Sequence, residues 1–485
     1  MRKFKLLTTL LCIAFLGINV TAQVTSKSIS KNQKEKIDAY VLHLQKRHSI
    51  PGVSLAITQK GQTVYKENFG KANIEHRSPI VDESIYRVYS LTKPIVSVAV
   101  FQLIEQDKLS LNDEVGKYIK DIPKSWRKAK MKHLLTHSSG FPDMAPYHRM
   151  EKLTEKEAKD VIFEKKLAFD FGEKYQYNQT NFWLLQKIIE KLSGEKLEDF
   201  IIKNQFEGEK KNVFFSSNSK KIVMHRVTPY FPFETGEIQI DHSALKGRYM
   251  FAANGLNITL DEFVKWDQRL RNDELIRKET KEEMWSTFSY SKSNKRFAYG
   301  WDKRIINQHD SYGFSGSLIT AYRIFPLDDM SIVFLSNGLG SYYNIENIIN
   351  HIATIVDDDI IDFQNEAFET LLQAIVENGV KSLDNEFLKL KRLENFDQMN
   401  LEPVINDVGY QLINQKRMEK AVQVFTFNTK KYPNSANAFD SLGEVYLMTN
   451  EFDLAALNYQ KSVDLGGTRG NAKKMLEQIK QTKKN

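Results

Sequence analysis

The segment at residues 92–106 is apolar on nearly every face of the helix that its composition predicts. Such a helix has no polar side to leave in water, so we expect other elements to cover it all round. Pro94 fits this helix only if the helix has just begun, because a first-turn residue needs no partner for its N–H group. The sequence therefore predicts a helix that begins near residue 92 inside a large core. A chain of 485 residues is too long for one core, which favours two domains.

Ser90 and Lys93 stand at the start of this helix as a Ser-x-x-Lys motif. The motif occurs seven times in the chain, so spacing alone selects none of the copies. Only the copy at Ser90 leads directly into a long apolar helix, and a spacing of three residues places Ser90 and Lys93 on one helix face. A serine at a helix start is often just an N-cap. Here a partly desolvated Lys93 can also lose its proton and act as a base beside Ser90.

Strand patterns occur near both ends of the first 340 residues, with helical patterns between them. The predicted strands lie at residues 52–57, 63–65, 298–301, 318–325 and 331–336. Residues 182–192 predict a helix with Thr180 as N-cap and Gly194 as C-cap. This order favours an α+β domain with one antiparallel sheet that is closed by its N- and C-terminal segments.

The first 22 residues predict a secretory signal peptide. Three basic residues precede an apolar stretch at 6–20, which is too short for a membrane span, and small residues follow at 20–22. Cleavage lowers the formal charge from +8 to +5, spread along the chain, which disfavours nucleic acid as a partner. The single cysteine, Cys12, is lost with this segment, so the mature chain has no thiol nucleophile and no disulfide. We therefore expect an exported protein, periplasmic or extracellular, without a stable membrane span.

From about residue 360 the pattern becomes continuously helical and repeats. The equivalent residues, each 34 positions apart, are Gly409 and Gly443, Leu412 and Tyr446, Ala421 and Ala455, and Phe425 and Tyr459. This is the tetratricopeptide period, in which small residues let the two helices of a repeat approach closely. We expect a helical linker at 361–400 and an all-α, tetratricopeptide-like region at 401–485 that binds a protein or peptide partner.

Further sequence blocks accompany Ser90 in a fixed order. They are IYRVYSLTKP (85–94), QDKLSLND (106–113), HLLTHSSG (133–140), the segment at 169–194, ANGL (253–256), YGW (299–301) and GFSG (313–316). Over residues 50–340 these blocks resemble the serine β-lactamase family, in its branch of class C β-lactamases, family VIII esterases and D-Ala-D-Ala carboxypeptidases. The resemblance implies a β-lactamase/DD-peptidase-like domain at 23–360, in which helices and a helical subdomain flank the sheet. It also implies a small ester or peptide substrate and no cofactor.

The resemblance assigns roles to individual residues. Ser90 is the nucleophile, and Lys93 and Tyr177 share the general-base and general-acid roles. Which of these two takes the first proton stays open. The backbone N–H groups of Ser90 and Ser317 would hold the oxyanion. An acyl-enzyme then forms, and water releases it.

Two positions depart from the family pattern, and we expect both to line the substrate pocket together with Ser315 and Gly316. Gln179 stands where the family's Tyr-x-Asn segment has Asn, and Phe314 replaces the Lys or His that precedes Ser315 and Gly316. Family members with Lys there place its charge near a substrate carboxylate, and Arg323 is the candidate replacement. We therefore expect an esterase-like or peptidase-like acyl hydrolase rather than a true β-lactamase. The competing hypothesis is a catalytically degenerate, penicillin-binding-protein-like module that binds peptide or cell-wall fragments and recruits partners through its repeats.

His133 and His137 are spaced i, i+4, as zinc ligands on a helix can be. No Glu stands between them in the required arrangement, and the resemblance makes both histidines structural. We therefore expect no metal site.

Overall fold

The computed structural model of the protein describes residues 29–144, 153–207, 211–232, 238–243, 247–339, 344–467 and 471–482. The predicted signal peptide at residues 1–22 lies outside the described residues. The strands are β1 (Gly52–Gln59), β2 (Gln62–Asn73), β3 (Ser78–Pro79), β4 (Ile85–Arg87), β5 (Val213–Phe215), β6 (Tyr230–Pro232), β7 (Ile238–Ile240), β8 (Leu256–Thr259), β9 (Asp302–Ile306), β10 (His309–Gly316), β11 (Thr320–Phe325) and β12 (Met330–Ser336).

The helices are α1 (Lys31–His48), α2 (Thr92–Glu105), α3 (Val115–Tyr118), α4 (Met131–Leu135), α5 (Glu155–Phe163), α6 (Thr180–Ser193), α7 (Leu197–Gln205), α8 (Phe251–Asn254), α9 (Leu260–Arg271), α10 (Lys278–Trp285), α11 (Ile345–Val356), α12 (Phe363–Asn378), α13 (Leu383–Leu390), α14 (Glu402–Asn414), α15 (Met418–Lys431), α16 (Ala436–Met448), α17 (Phe452–Asp464) and α18 (Ala472–Thr482). Short 3₁₀ turns lie at Tyr89–Leu91, Lys124–Trp126 and Val380–Ser382.

An antiparallel sheet lies at the centre of the described fold, with the strand order β3-β2-β1-β12-β11-β10-β9. Strand β1 pairs with β12, so that Val53 lies opposite Ser336. Segments from the two ends of the domain therefore close the sheet, which confirms the predicted α+β architecture. The predicted hairpin is formed by β1 and β2, joined at Lys60 and Gly61.

The two faces of the sheet pack against different cores, because side chains alternate along a strand. In β12, Val333 and Leu335 join the core that contains α2 and α6. Ile332 and Phe334 join a second core that contains α1 and α11. The second core continues without a break into α12, α14 and α15, so the helices after residue 360 pack on the outer layer of the sheet domain.

Helix α2 is the buried helix that the sequence predicts. Each residue from Thr92 to Leu103 is buried, and Pro94 lies in the first turn. The helix has 14 residues. Within the described residues, no helix combines the length and the hydropathy that crossing a bilayer requires.

Two local predictions are wrong. Residues 298–301 form a bend rather than a strand, since Gly300 adopts φ +84° and packs against Ser97 of α2. Thr180 is the first residue of α6 instead of its N-cap. Its hydroxyl donates to the carbonyl of Pro142 (2.7 Å) and so ties a loop to the helix. The C-cap at Gly194 is confirmed, with the left-handed φ of 73° that glycine adopts freely.

The C-terminal helices form hairpins that recur at the predicted spacing. Helices α14 and α16 begin 34 residues apart, as do α15 and α17. A Cβ atom on Gly409 would lie 2.5 Å from the ring of Phe425, so the two helices of the first hairpin approach too closely for any other residue there. Helices α12 and α13 occupy the segment predicted as a linker at 361–400. The tetratricopeptide assignment itself stays a prediction.

Candidate active site

Ser90 lies in the 3₁₀ turn that leads directly into α2. Tyr89 adopts a positive φ of 48°, and the hydroxyl of Thr92 donates to the Tyr89 carbonyl (2.6 Å), which fixes the turn. Strand β10 passes close behind it, because a Cβ atom on Gly316 would lie 2.0 Å from the carbonyl oxygen of Val88. The glycine predicted in the pocket is therefore what allows the sheet to reach the serine.

Lys93 is fully buried one helical turn after Ser90. Its Nζ atom lies 2.9 Å from Oε1 of Gln179, 2.8 Å from the carbonyl oxygen of Ala253 and 3.3 Å from Oγ of Ser90. Burial holds the pKa of Lys93 well below its usual value of 10.5, and the carboxylate of Asp143 opposes this shift only in part. The amine donates to the two carbonyl oxygens, and Oγ of Ser90 is its third neighbour.

The hydroxyl of Tyr177 lies 2.7 Å from Oγ of Ser90. The ring of Tyr177 is 4.8 Å from Nζ of Lys93 and 4.7 Å from the ring of His137. Residues 90, 93 and 177 thus come together as the sequence predicts, although 84 residues separate Tyr177 from Lys93 in the chain. The amine of Lys93 and the phenol of Tyr177 both lie within hydrogen-bonding range of the Ser90 hydroxyl, an arrangement that suits proton transfer to and from the serine.

His137 packs beside this arrangement, a structural role of the kind that the resemblance implies. Its Nδ1 accepts from the backbone N–H of Asn178 (3.3 Å) and lies 3.2 Å from Nδ2 of Asn181. Burial lowers the pKa of His137 well below 6.5, and the nearby Lys93 lowers it further, so the ring is neutral. His133 lies apart from the serine, where its Nδ1 accepts from the Lys130 backbone and its ring stacks on Phe171. Within the described residues, no three His, Cys, Asp or Glu side chains form a group that could hold a metal ion.

Gln179 takes the place of the family's Asn without leaving Lys93 unpaired. It is the residue immediately before α6, and its backbone N–H donates to Asp143 (3.0 Å). The longer side chain still brings its carbonyl oxygen to the Lys93 amine. This departure from the family pattern is therefore compatible with an intact site.

A cavity of about 260 Å³ opens beside Ser90. Its lining consists of Ser90, Tyr175, Tyr177, Phe297, Asp302, Arg304, Phe314, Ser315, Ser317, Leu318 and Glu346. The predicted pocket residues Phe314 and Ser315 are among them, whereas Gln179 and Gly316, which were predicted for the same pocket, do not line this cavity. The predicted oxyanion residue Ser317 also lies at this cavity, with a positive φ of 48°, but its N–H role stays a prediction. Sequence reasoning missed Tyr175, Phe297 and the three charged residues, since no motif marks them.

Arg323 is not the cation of this cavity, so that prediction is wrong. It is fully buried and donates to Glu346 (2.8 and 3.1 Å) and to Ser311 (3.1 Å). Strand alternation explains the error, because Arg323 shares the face of Ala321 and Phe325, which pack in the second core. Helix α11 covers that face and supplies Glu346.

Arg304, on the edge strand β9, is the arginine that reaches the cavity. Its Nε donates to Asp302 (2.8 Å), and the side chain is one-third exposed. Burial raises the pKa of Asp302, but Arg323, Arg304 and Lys295 outweigh burial and hold it at about 2. The carboxylates of the cavity, those of Asp302 and Glu346, are thus both paired with arginine side chains. The terminal nitrogens of Arg304 have no partner among the described residues and are available to a ligand.

Comparison with known proteins agrees with the family resemblance of the sequence blocks around Ser90. The profile of the family described as Beta-lactamase matches residues 37–352. Penicillin-binding protein 4* of Bacillus subtilis (strain 168) is 24% identical over 299 residues, which cover 56% of this chain and 64% of that protein. The chain thus spans a little under two thirds of that relative's length.

Two solved structures show the same fold. The octameric penicillin-binding protein homologue from Pyrococcus abyssi superposes with a TM-score of 0.59 at 23% identity, over 70% of this chain and 81% of that one. EstCE1, described as a hydrolase with promiscuous acyltransferase activity, superposes with a TM-score of 0.55 at 18% identity, over 68% of this chain and 97% of that one.

Proposed function

Because the chain belongs to the Beta-lactamase family, we propose that it is an exported serine acyl hydrolase that cleaves an ester or amide bond through an acyl-enzyme on Ser90. The observation that carries the proposal is the meeting of three groups at one point. Oγ of Ser90 lies 2.7 Å from the phenol of Tyr177 and 3.3 Å from a buried amine of lowered pKa, that of Lys93.

The reaction follows from these contacts. Oγ of Ser90 attacks the substrate carbonyl carbon while its proton passes to the lone pair of the neutral Lys93. The carbonyl oxygen becomes an oxyanion, which the N–H groups of Ser90 and Ser317 would stabilise. As the oxyanion collapses, the bond to the leaving group breaks, and Tyr177 delivers a proton to that group and regains one from Lys93. Water then attacks the acyl-enzyme by the reverse route and restores the serine.

The cavity indicates a class of substrate. Phe297, Phe314 and Tyr175 make one wall aromatic, which favours an apolar group beside the scissile bond. Arg304 has unpaired donors at the same cavity, and these favour a substrate that also carries an anionic group. We therefore place the natural substrate among apolar esters or amides with an acidic substituent.

The competing function, a degenerate binding module, rests on the replacements at Gln179 and Phe314. Gln179 accepts from Lys93 as the family's amide would, so it gives little support to loss of activity. Phe314 changes the substrate that fits and leaves Ser90, Lys93 and Tyr177 in place. The hydrolase is therefore the function that we favour. The C-terminal helices are, in this proposal, a tetratricopeptide-like partner-binding region.

Ester hydrolysis by the purified full-length protein tests the proposal. We expect hydrolysis of p-nitrophenyl butyrate that Ser90→Ala abolishes, together with a fluorophosphonate adduct on Ser90 in the intact mass. Ser125→Ala is the matched control, because Ser125 begins another Ser-x-x-Lys copy and is exposed. Equal rates for the wild type and Ser90→Ala, or no adduct on Ser90, would exclude the hydrolase.

A further inference from the structure

A second cavity, of about 330 Å³, lies between the sheet domain and the first C-terminal hairpin. We call it the amide cleft. It is lined by Asn344, Asn347, Asp362, Gln364, Asn365, Phe368, Pro403, Val404, Asp407, Tyr410, Gln411 and Asn414. Helix α12 forms one wall, α14 forms the other, and the N-terminus of α11 forms one end. Half of these side chains are carboxamides, and none is basic.

Two of the carboxamides are buried without being satisfied. Gln411 on α14 is 6% exposed and Asn365 on α12 is 5% exposed. Among the described residues, Nε2 of Gln411 and Oδ1 of Asn365 have no hydrogen-bond partner. The orientation of Asn365 is set by its own Nδ2, which donates to the carbonyl of Asn347 (3.0 Å) and leaves Oδ1 as the free acceptor. Burying an amide atom without a hydrogen-bond partner is unfavourable, and a ligand that pairs with it relieves this cost.

The unpaired atoms define what the cleft can bind. One wall carries an acceptor and the opposite wall carries a donor, both with almost no exposed surface, so a rotation of each amide group brings them to a peptide group with its complementary N–H and C=O. Phe368 and Val404 supply apolar contact between them. A peptide backbone satisfies both amides at once, which a purely apolar or purely anionic ligand does not.

The charge of the cleft selects among peptides. Asp362 and Asp407 are its only ionisable carboxylates, and Asp407 forms no ion pair with a described residue. Burial raises the pKa of Asp407, and the nearby negative charge of Glu402 raises it further. Asp440 and Glu444 extend the acidic character along the neighbouring helix α16. With no basic side chain in the lining, a cationic residue on the ligand is favoured.

We propose that the amide cleft is a binding site for an extended peptide segment that carries lysine or arginine. The site is separate from the catalytic one, but the first turn of α11 lies between them. Glu346 of that turn lines the active-site cavity, while Asn344 and Asn347 line the cleft. The first turn of α11 therefore separates a peptide held in the cleft from the active-site cavity.

Fluorescence anisotropy tests the proposal in the full-length Ser90→Ala protein, so the result does not depend on hydrolysis. The probe is the fluorescein-labelled peptide Gly-Lys-Gly-Gly-Lys-Gly, and its counterpart has Glu in place of Lys. We expect the lysine peptide to bind at least about tenfold more tightly. Gln411→Leu should weaken its binding about tenfold through the lost hydrogen bond. The milder rim substitution Asp407→Asn should reduce the preference for lysine over glutamate about threefold.

Gln415→Leu is the matched control, since Gln415 lies one turn further along the chain, also carries unpaired buried amide atoms and does not line the cleft. Its binding should equal that of the parent protein, and thermal unfolding verifies that each variant is folded. Equal binding of both peptides, or equal binding by the Gln411 and Gln415 variants, would overturn the proposal. The cleft would be assigned to sugars instead if an N-acetylglucosamine tetramer displaced the probe and the protein bound the lysine and glutamate peptides equally.

Discussion

Lys93 in the active site and Gln411 in the amide cleft are both almost wholly buried, but their nitrogen atoms have different surroundings. Two carbonyl oxygens and the serine surround the amine of Lys93 within 3.3 Å. The amide nitrogen of Gln411 has no partner among the described residues. The amine of Lys93 thus finds its hydrogen-bond partners within the chain, whereas the amide of Gln411 gains one only when a ligand enters the cleft.

The difference shows two uses of a buried polar group. In the active site, burial with satisfied hydrogen bonds shifts a pKa and prepares a base without a ligand. In the cleft, burial without a partner stores an unfavourable free energy that a ligand can relieve. Each of the following substitutions changes one side of this contrast.

Replacing Lys93 by Met has the largest expected effect. The variant keeps a side chain of similar length but removes the base, so kcat/KM for p-nitrophenyl butyrate should fall by about 10³-fold. Lys196→Met, in another Ser-x-x-Lys copy on an exposed turn, is the control and should leave the rate unchanged. A Lys93→Met variant that keeps more than a tenth of the wild-type rate would show that burial of the amine serves packing and not catalysis.

Tyr177→Phe should lower kcat by about 10²-fold, because it removes one proton-transfer group and keeps the ring beside His137 and Lys93. Tyr175→Phe is the matched control, since Tyr175 lines the same cavity and its hydroxyl forms no bond to Ser90. Steady-state kinetics on one ester compare the two. Equal losses would place Tyr177 among the wall residues only.

How far the sequence predicts these sites depends on whether the contacts are local. The turn at Ser90 and the amine of Lys93 follow from one motif and one apolar helix, and Tyr177 follows from a recognisable block. Arg304 does not, because its place at the cavity depends on β9 pairing with β10, where it lies opposite Ser311. Position in the chain points to Arg323 instead, but α11 covers its face of the strand. The amide cleft escapes prediction altogether, since helices from two regions form its walls.

The protonation of Lys93 predicts a pH dependence of stability. Its pKa is far below 10.5 in the folded state, so between those two values the unfolded chain holds one more proton than the folded chain. The free energy of unfolding should therefore rise with pH, by about 1.4 kcal/mol per pH unit from this residue alone. Urea unfolding at pH 7, 8 and 9 of the wild type and Lys93→Met isolates the contribution as the difference in slope. Parallel slopes would mean that Lys93 is charged when folded.

The smallest expected effect is a change in the free energy of unfolding, which should have opposite signs for substitutions in the amide cleft and in the active site. Gln411→Leu removes an unsatisfied amide and should raise the free energy of unfolding by about 1 kcal/mol. Gln179→Leu deprives Lys93 of an acceptor and should lower it by about 1–3 kcal/mol. Urea unfolding at one pH measures both. The gain at Gln411 should come with the weaker peptide binding proposed above, since a residue kept at a cost in stability is expected where a ligand uses it. If Gln411→Leu destabilises the protein as Gln179→Leu does, its amide is paired in solution and the cleft is complete without a ligand.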